Sequence, residues 1–402
     1  SAASKCRRTD WSRAPRPQIF HGLPWCLWVN LQCVNHAETQ RVSVPAENRP
    51  FQKRGDRMHE IFKKSGAFLR GAVALCAAAV VLGVAPQPAA AEVKPAISQA
   101  RELIPVGHTV GIKLFSRGVL VVRLAEGDTP ARACGLETGD LILKCNGTAV
   151  TSTEQFQSLV QDPETEELQL QVRRASKTMT LTAEVAGEAA ADRSIGAWIR
   201  DSMAGIGTMT FYDPASGVFG ALGHGITDVD TAQLMPFASG SILPSTVKAV
   251  RRGTVGAAGE LRGDFSLNEQ LGSLYANTEG GIFGTLDAVT WDACLGRALP
   301  IAEKDEVRTG PAVIRSNVAG DEVRDYRVEI CKISDQDGTE RNLLLSVTDP
   351  DLLEKTGGIV QGMSGSPILQ NGKIVGAVTH VLLNDPTKGY GIFIHNMLDQ
   401  AS

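Results

Sequence analysis

Gly362-Met363-Ser364-Gly365-Ser366-Pro367 is followed by a short apolar run, an Asn371-Gly372 turn and a second apolar run from Ile374 to Val381; the reading of this chain turns on that stretch. A serine between glycines sits where the backbone can bend sharply, exposing its hydroxyl and leaving main-chain N–H groups to face a developing negative charge. Gly362 and Ser364 are the expected donors. A serine hydroxyl alone is a poor nucleophile and needs a base within hydrogen-bond reach. Of the four histidines beyond residue 91, His108 lies far upstream, while His380 and His395 closely follow the serine. His224 alone precedes Ser364 in the same β-rich region. It is flanked by Gly223 and Gly225 at the end of an apolar run, and is the expected base. His224, His380 and His395 do not have the His-Glu-x-x-His spacing of a zinc protease, so no metal and no organic cofactor is expected.

From Ile206 to the end, short apolar runs alternate with turn residues, as at Ile206–Tyr212, Val218–Leu222, Ala312–Ile314 and Leu343–Val347. That is the pattern of an all-β barrel or sandwich. Upstream, the apolar runs Val110–Leu114 and Gly118–Leu124, broken by Ser116-Arg117-Gly118, predict a hairpin. A small-residue helix at Pro130–Cys134, a strand at Leu141–Cys145 and an Asn146-Gly147 turn follow. An amphipathic helix at Thr153–Gln161 and closing strands at Leu168–Arg173 and Thr178–Val185 complete the segment.

This upstream order, with Pro130-Ala131-Arg132-Ala133-Cys134-Gly135-Leu136 and Gly139-Asp140-Leu141-Ile142-Leu143, resembles a PDZ domain of the bacterial protease-associated kind. Such domains bind an extended peptide at a sheet edge. The resemblance places the carboxylate-binding segment at Thr109, Val110, Gly111 and Ile112; the peptide itself is not specified. The serine loop resembles the nucleophile loop of chymotrypsin-like proteases. In that likeness Gly376 and Val378 belong to the substrate-pairing strand, Gly389 and Gly391 to the other pocket wall, and Asn396–Gln400 to the terminal helix. Gly358 takes the pocket floor, where no acidic side chain would select Lys or Arg. The fold class expected is mainly β: an α+β PDZ domain followed by a chymotrypsin-like double β-barrel. That topology favours Asp264 or Asp287 as the residue orienting the imidazole. Asp349, Asp228 and Asp230 are alternatives, and spacing leaves them open.

Thr348-Asp349-Pro350, Gly357-Gly358-Ile359-Val360-Gln361-Gly362-Met363-Ser364-Gly365-Ser366-Pro367 and Gly376-Ala377-Val378-Thr379-His380-Val381, after a PDZ segment and Gly-His-Gly, resemble the stage IV sporulation protein B family. The resemblance implies a triad of His224, Asp349 and Ser364. It also implies a signalling protease of endospore formers, exported between forespore and mother cell, that cleaves itself near its N-terminus. Its protein substrate would be a regulator of an intramembrane metalloprotease, whose release leads to pro-sigma-K processing.

An export signal fits that picture. Arg57, Lys63, Lys64 and Arg70 precede the uncharged run Gly71–Val84, and Pro86–Ala91 supplies small residues for cleavage. The run is shorter than the roughly 20 residues of a membrane span, so residues 58–91 are expected to be a signal peptide cut after Ala91, with a retained membrane anchor as the alternative and membrane association transient. Residues 1–57 read as a non-native extension ahead of a start at Met58, 92–104 as a linker, 105–186 as the PDZ domain and 192–402 as the peptidase domain. A net charge of -4 gives no field to hold nucleic acid. Cys134, Cys145, Cys294 and Cys331 lack metal-ligand spacing, and buried free thiols are expected at Cys134 and Cys145. The rival expectation is a catalytically inactive PDZ adaptor that only presents peptides.

Overall fold

A computed structural model describes residues 102–185, 187, 193–266, 269–287, 296–334 and 340–401. The expected extension and export signal, residue 294 and most of the linker lie outside the described residues. Strands β1 (Glu102–Pro105) and β2 (Thr109–Leu124) come first. Helix α1 (Pro130–Ala133), β3 (Leu141–Cys145), β4 (Thr148–Ala149), α2 (Thr153–Val160), β5 (Glu167–Arg174) and β6 (Lys177–Glu184) follow. Next are β7 (Ala197–Tyr212), β8 (Val218–Ala221), β9 (Phe237–Arg251), β10 (Glu260–Phe265), β11 (Gly272–Thr278) and β12 (Gly281–Leu286). After β13 (Leu299–Pro300) come β14 (Gly310–Ala319), β15 (Glu322–Ile333), β16 (Leu343–Val347) and α3 (Pro350–Thr356). The chain closes with β17 (Pro367–Gln370), β18 (Lys373–Leu382), β19 (Asp385–Phe393) and α4 (Ile394–Gln400).

Pairing closes two barrels. The second runs β14-β15-β16-β19-β18-β17 and back to β14. The first runs β2-β7-β8-β12-β11-β9 and returns to β2, since β2 pairs with both β7 and β9. Numbered along the chain, the strands of each barrel follow the same order, 1-2-3-6-5-4. Alternating side chains fill each interior, with Val110, Ile112, Leu114, Phe219 and Ile282 in the first and Ile314, Val328, Leu345, Ile368 and Phe393 in the second. Phe211 and Phe283 meet Leu369, Ile374, Ile392 and Met397 in a further core that joins the barrels. Each such phenylalanine, wholly buried, contributes about 1.5–3 kcal/mol through lost apolar exposure.

The expected PDZ module precedes most of the expected peptidase region in sequence, but grows out of the first barrel rather than standing before it. Thr109–Phe115 pairs with Thr208–Ser202 inside the barrel; Leu120–Leu124 then pairs with Arg200–Ala197 in the module. Strands β2 and β7 therefore serve both. The module's own core gathers Val119, Val121, Ile142, Phe156, Leu168, Leu170 and Val172. The expected domain boundary at residue 105 moves accordingly, because residues 109–115 belong to the barrel. Nor is there a hairpin at Ser116-Arg117-Gly118. The register passes from Phe115↔Ser202 to Leu120↔Arg200, so the extra residues form a bulge. Gly118, at φ 117°, makes it possible: a Cβ there would lie 2.5 Å from the Ile142 carbonyl oxygen.

The same pairing corrects the expected peptide-binding segment. Val110, Gly111 and Ile112 face Gly207, Ile206 and Gly205 on one side and Pro244, Leu243 and Ile242 on the other. Thr109 pairs with Thr208, and its hydroxyl donates to Asn317 Oδ1 at 2.6 Å in the second barrel. A strand bonded along both edges cannot accept another. Cys145 is buried and free, as expected, and burial pushes its thiol up to about 11; Cys134 is half-buried and free, Cys331 free and exposed. No described helix is long and apolar enough to cross a membrane.

Candidate active site

Ser364 lies between the barrels, half-buried, in the loop that feeds β17. Its hydroxyl donates to the Thr379 carbonyl at 2.7 Å. His224 follows β8 of the first barrel and is buried. Its Nδ1 is 2.9 Å from the Gly225 carbonyl oxygen. A carbonyl can only accept, so Nδ1 carries the proton and Nε2 is left basic. The two residues reach the same seam. Gly365 packs so closely on Leu222, two residues before His224, that a Cβ would lie 2.6 Å from the Leu222 nitrogen. Gly223 packs on the Thr379 side chain, whose main chain holds the serine.

The loop amides divide cleanly. Gln361 N–H donates to Gly259 O at 2.9 Å, Met363 N–H to Val360 O at 3.1 Å, Gly365 N–H to Val378 O at 2.8 Å and Ser366 N–H to Met363 O at 2.9 Å. Among the described residues the amides of Gly362 and Ser364 donate to no acceptor. Two donors left open on alternate residues, one of them the serine itself, are the arrangement that binds an oxyanion.

Asp349 lies elsewhere in the fold, at the N-cap of α3. Its Oδ1 accepts from the Asp351 amide at 3.0 Å and the Leu352 amide at 3.2 Å, and its Oδ2 from the Arg327 amide at 3.3 Å. Burial opposes its charge, but the amides of Arg327, Leu352 and Asp351 outweigh that and hold the carboxyl below its usual range. The contacts of Asp349 are thus those of a cap that also braces β15, while His224 Nδ1 faces the Gly225 carbonyl; the orienting role expected of Asp349 is not among them. The alternatives are engaged too. Asp228 is buried against Arg200 and closes a turn through Asp230 N–H and Thr231. Asp230 pairs with Arg200 at 2.9 Å, while Asp264 and Asp287 are exposed.

Residues assigned no catalytic role from the sequence lie near the imidazole. The His380 ring lies 5.1 Å from that of His224, centre to centre. Burial, with the charges of His224 and Arg341 nearby, drives the His380 imidazole down to about 3. It is neutral at physiological pH, so the 3.8 Å approach of its Nε2 to Glu340 Oε1 is packing rather than an ion pair. Burial lifts the Glu340 carboxyl and a proton on the nearby His224 draws it back, which sets a carboxylate in the field of the imidazolium. Glu340 also accepts the Thr379 hydroxyl on its carbonyl, at 2.8 Å. His395, on α4, approaches Glu303 at 3.3 Å.

The expected substrate-contacting glycines serve packing. Gly376 pairs with Ile368 on one side and Phe393 on the other, and a Cβ would lie 1.9 Å from the Ile392 oxygen. Val378 has its amide on Ser366 O and its carbonyl on Gly365 N–H. Gly389 and Gly391 lie in β19, paired on both sides, to β16 and β18. Barrel closure uses these edges up. The open edge lies farther along β18, where Thr379–Leu382 pairs with no second strand among the described residues. Gly358, at φ 134°, would place a Cβ 2.0 Å from the Pro386 oxygen, so no side chain fits there.

The family model of the SpoIVB peptidase S55 matches residues 191–398, just over half the chain, and that of a PDZ domain matches residues 121–174. Among solved structures, the inactive form of the Rv3671c protease is 12% identical, over 48% of this chain and 82% of that one, at a TM-score of 0.29. The active form, from M. tuberculosis, is 13% identical, over 49% and 72%, at 0.28. No curated protein matches the chain.

Proposed function

Since the chain belongs to the SpoIVB peptidase S55 family and is a serine endopeptidase, we propose that Ser364 is its nucleophile, His224 its base, and the amides of Gly362 and Ser364 its oxyanion hole. The observation that carries this is the pair of open amides beside a hydroxyl at the seam where His224 arrives. In the reaction, the Ser364 hydroxyl leaves the Thr379 carbonyl and its proton passes to His224 Nε2 as Oγ attacks the scissile carbonyl. The oxyanion settles on the two amides, and the imidazolium returns the proton to the leaving amine. Water repeats the sequence on the acyl-enzyme. Gly225 C=O, bonded to Nδ1–H, holds the ring for transfer. Substrate pairs with the open edge of Thr379–Leu382.

Family membership supports a physiological role as well. We infer an exported enzyme, delivered by residues 58–91 to the space between forespore and mother cell. There it trims its own N-terminus and cuts a regulator of an intramembrane metalloprotease, so that pro-sigma-K is processed. Expression of wild type and Ser364→Ala side by side tests the enzymatic part. The wild type should accumulate a shortened form, identified by mass spectrometry of its amino terminus, and the variant should stay full length. Identical termini would favour the inactive adaptor. In a spore-forming host, Ser364→Ala should also block pro-sigma-K processing; normal processing would remove the sporulation role.

A further inference from the structure

We propose that Thr208, in the first barrel, is the positioning residue that sets the oxyanion hole of the second. This rests on reading Gly362 and Ser364 as the oxyanion donors. Four successive peptide planes run from Gln361 to Gly365, and each is held by its carbonyl. Leu261 N–H donates to Gln361 O at 2.8 Å, the Thr208 hydroxyl to Gly362 O at 2.7 Å, Ser366 N–H to Met363 O at 2.9 Å, and Thr208 N–H to Ser364 O at 3.0 Å. Thr208 therefore holds two of the four, one with its side chain and one with its main chain. Each plane it grips is the one immediately following an oxyanion donor.

Gly362 makes the side-chain bond matter. At φ 97° and without a Cβ, its own sterics restrict rotation little, so the plane between Gly362 and Met363 is fixed by its two hydrogen bonds, the Thr208 hydroxyl on Gly362 O and Met363 N–H on Val360 O at 3.1 Å. The anchor is rigid. Thr208 is wholly buried and paired with Thr109, and its branched Cβ limits χ1. Its carbonyl also accepts the Leu222 amide at 3.2 Å, two residues before His224. One residue thus registers the base-bearing segment and the oxyanion loop against each other across the barrel seam. The hydroxyl is the separable part, since valine fills the same space without a donor.

The test is the rate at which a fluorophosphonate labels Ser364 in the purified full chain, with melting temperature followed in parallel. Phosphonylation places an oxygen in the oxyanion hole, so the rate reads its geometry. Thr208→Val should label about ten- to a hundredfold more slowly than wild type, less than the loss expected from deleting a donor outright. Thr208→Ser should stay within about threefold. Should the valine variant not fold, the comparison of Thr208→Ala with Thr208→Ser decides, as the two differ by the hydroxyl alone. Labelling by Val within twofold of wild type, or Ala and Ser equally slow, overturns the proposal. Wild type that does not label at Ser364 removes the nucleophile reading, and this inference with it.

Discussion

Replacing Asp349 separates two jobs that one aspartate could hold. As a cap, its Oδ1 serves the amides of Asp351 and Leu352, and its Oδ2 serves the Arg327 amide. Alanine removes all three acceptors. Loss of an N-cap costs about 1 kcal/mol and an orphaned amide about 1 more, so Asp349→Ala should lose roughly 2 kcal/mol. It should also lose activity, because α3 runs directly into the segment that carries Ser364. Asparagine caps as well as aspartate does, and should keep Oδ1 in place. It forfeits the Oδ2 acceptor and the charge at the helix start, a cost of about 1 kcal/mol. Asp349→Asn should therefore melt near wild type and cleave within about tenfold of it. A triad acid changed to asparagine instead loses about 10⁴-fold in kcat. Autoprocessing rates and thermal melts of the three proteins decide. A loss of three or more orders of magnitude in Asp349→Asn, with melting unchanged, would refute the capping account.

Acid exposes a second feature. The His380 imidazole titrates at about 3 in the fold, below its ordinary value near 6.5, so the unfolded chain takes the proton first. Stability should be full above about pH 6.5 and fall as pH drops from there toward 3. His380→Phe should flatten the decline in melting temperature across that window; an unchanged slope would show that other groups set it. At Gly358, alanine would need a φ of 134° and would meet the Pro386 oxygen. Gly358→Ala should lose at least about 2 kcal/mol, seen as a melting temperature several degrees lower. A variant that melts with wild type would mean that the segment before the serine loop is laxer than described.

How far the sequence reaches depends on whether the information is local. Leu343–Val347 was legible to the residue, since a short apolar run between polar residues marks a buried strand. The serine loop was legible because its geometry needs glycine at fixed places. The sharing of β2 and β7 between barrel and PDZ module was not, because pairing of Thr109 with Thr208 is a contact across about a hundred residues that no local pattern records. Ser116-Arg117-Gly118 reads equally well as turn or bulge, and only the neighbouring Ile142 carbonyl decides. Asp349-Pro350 did carry a local signal, an N-cap before a proline at N1, which competed with a catalytic resemblance. Thr208, Glu340 and His380 could not be found this way. A threonine in a strand or a glutamate in a connection looks ordinary until the fold shows what it faces.

The most direct measurement is a crystal structure of the protein inactivated by a fluorophosphonate. The phosphorus should be on Ser364 Oγ, with one phosphonyl oxygen about 2.7–3.1 Å from the nitrogens of both Gly362 and Ser364 and His224 Nε2 facing the modified serine. An adduct on another residue, or a phosphonyl oxygen turned away from both amides, would contradict the account.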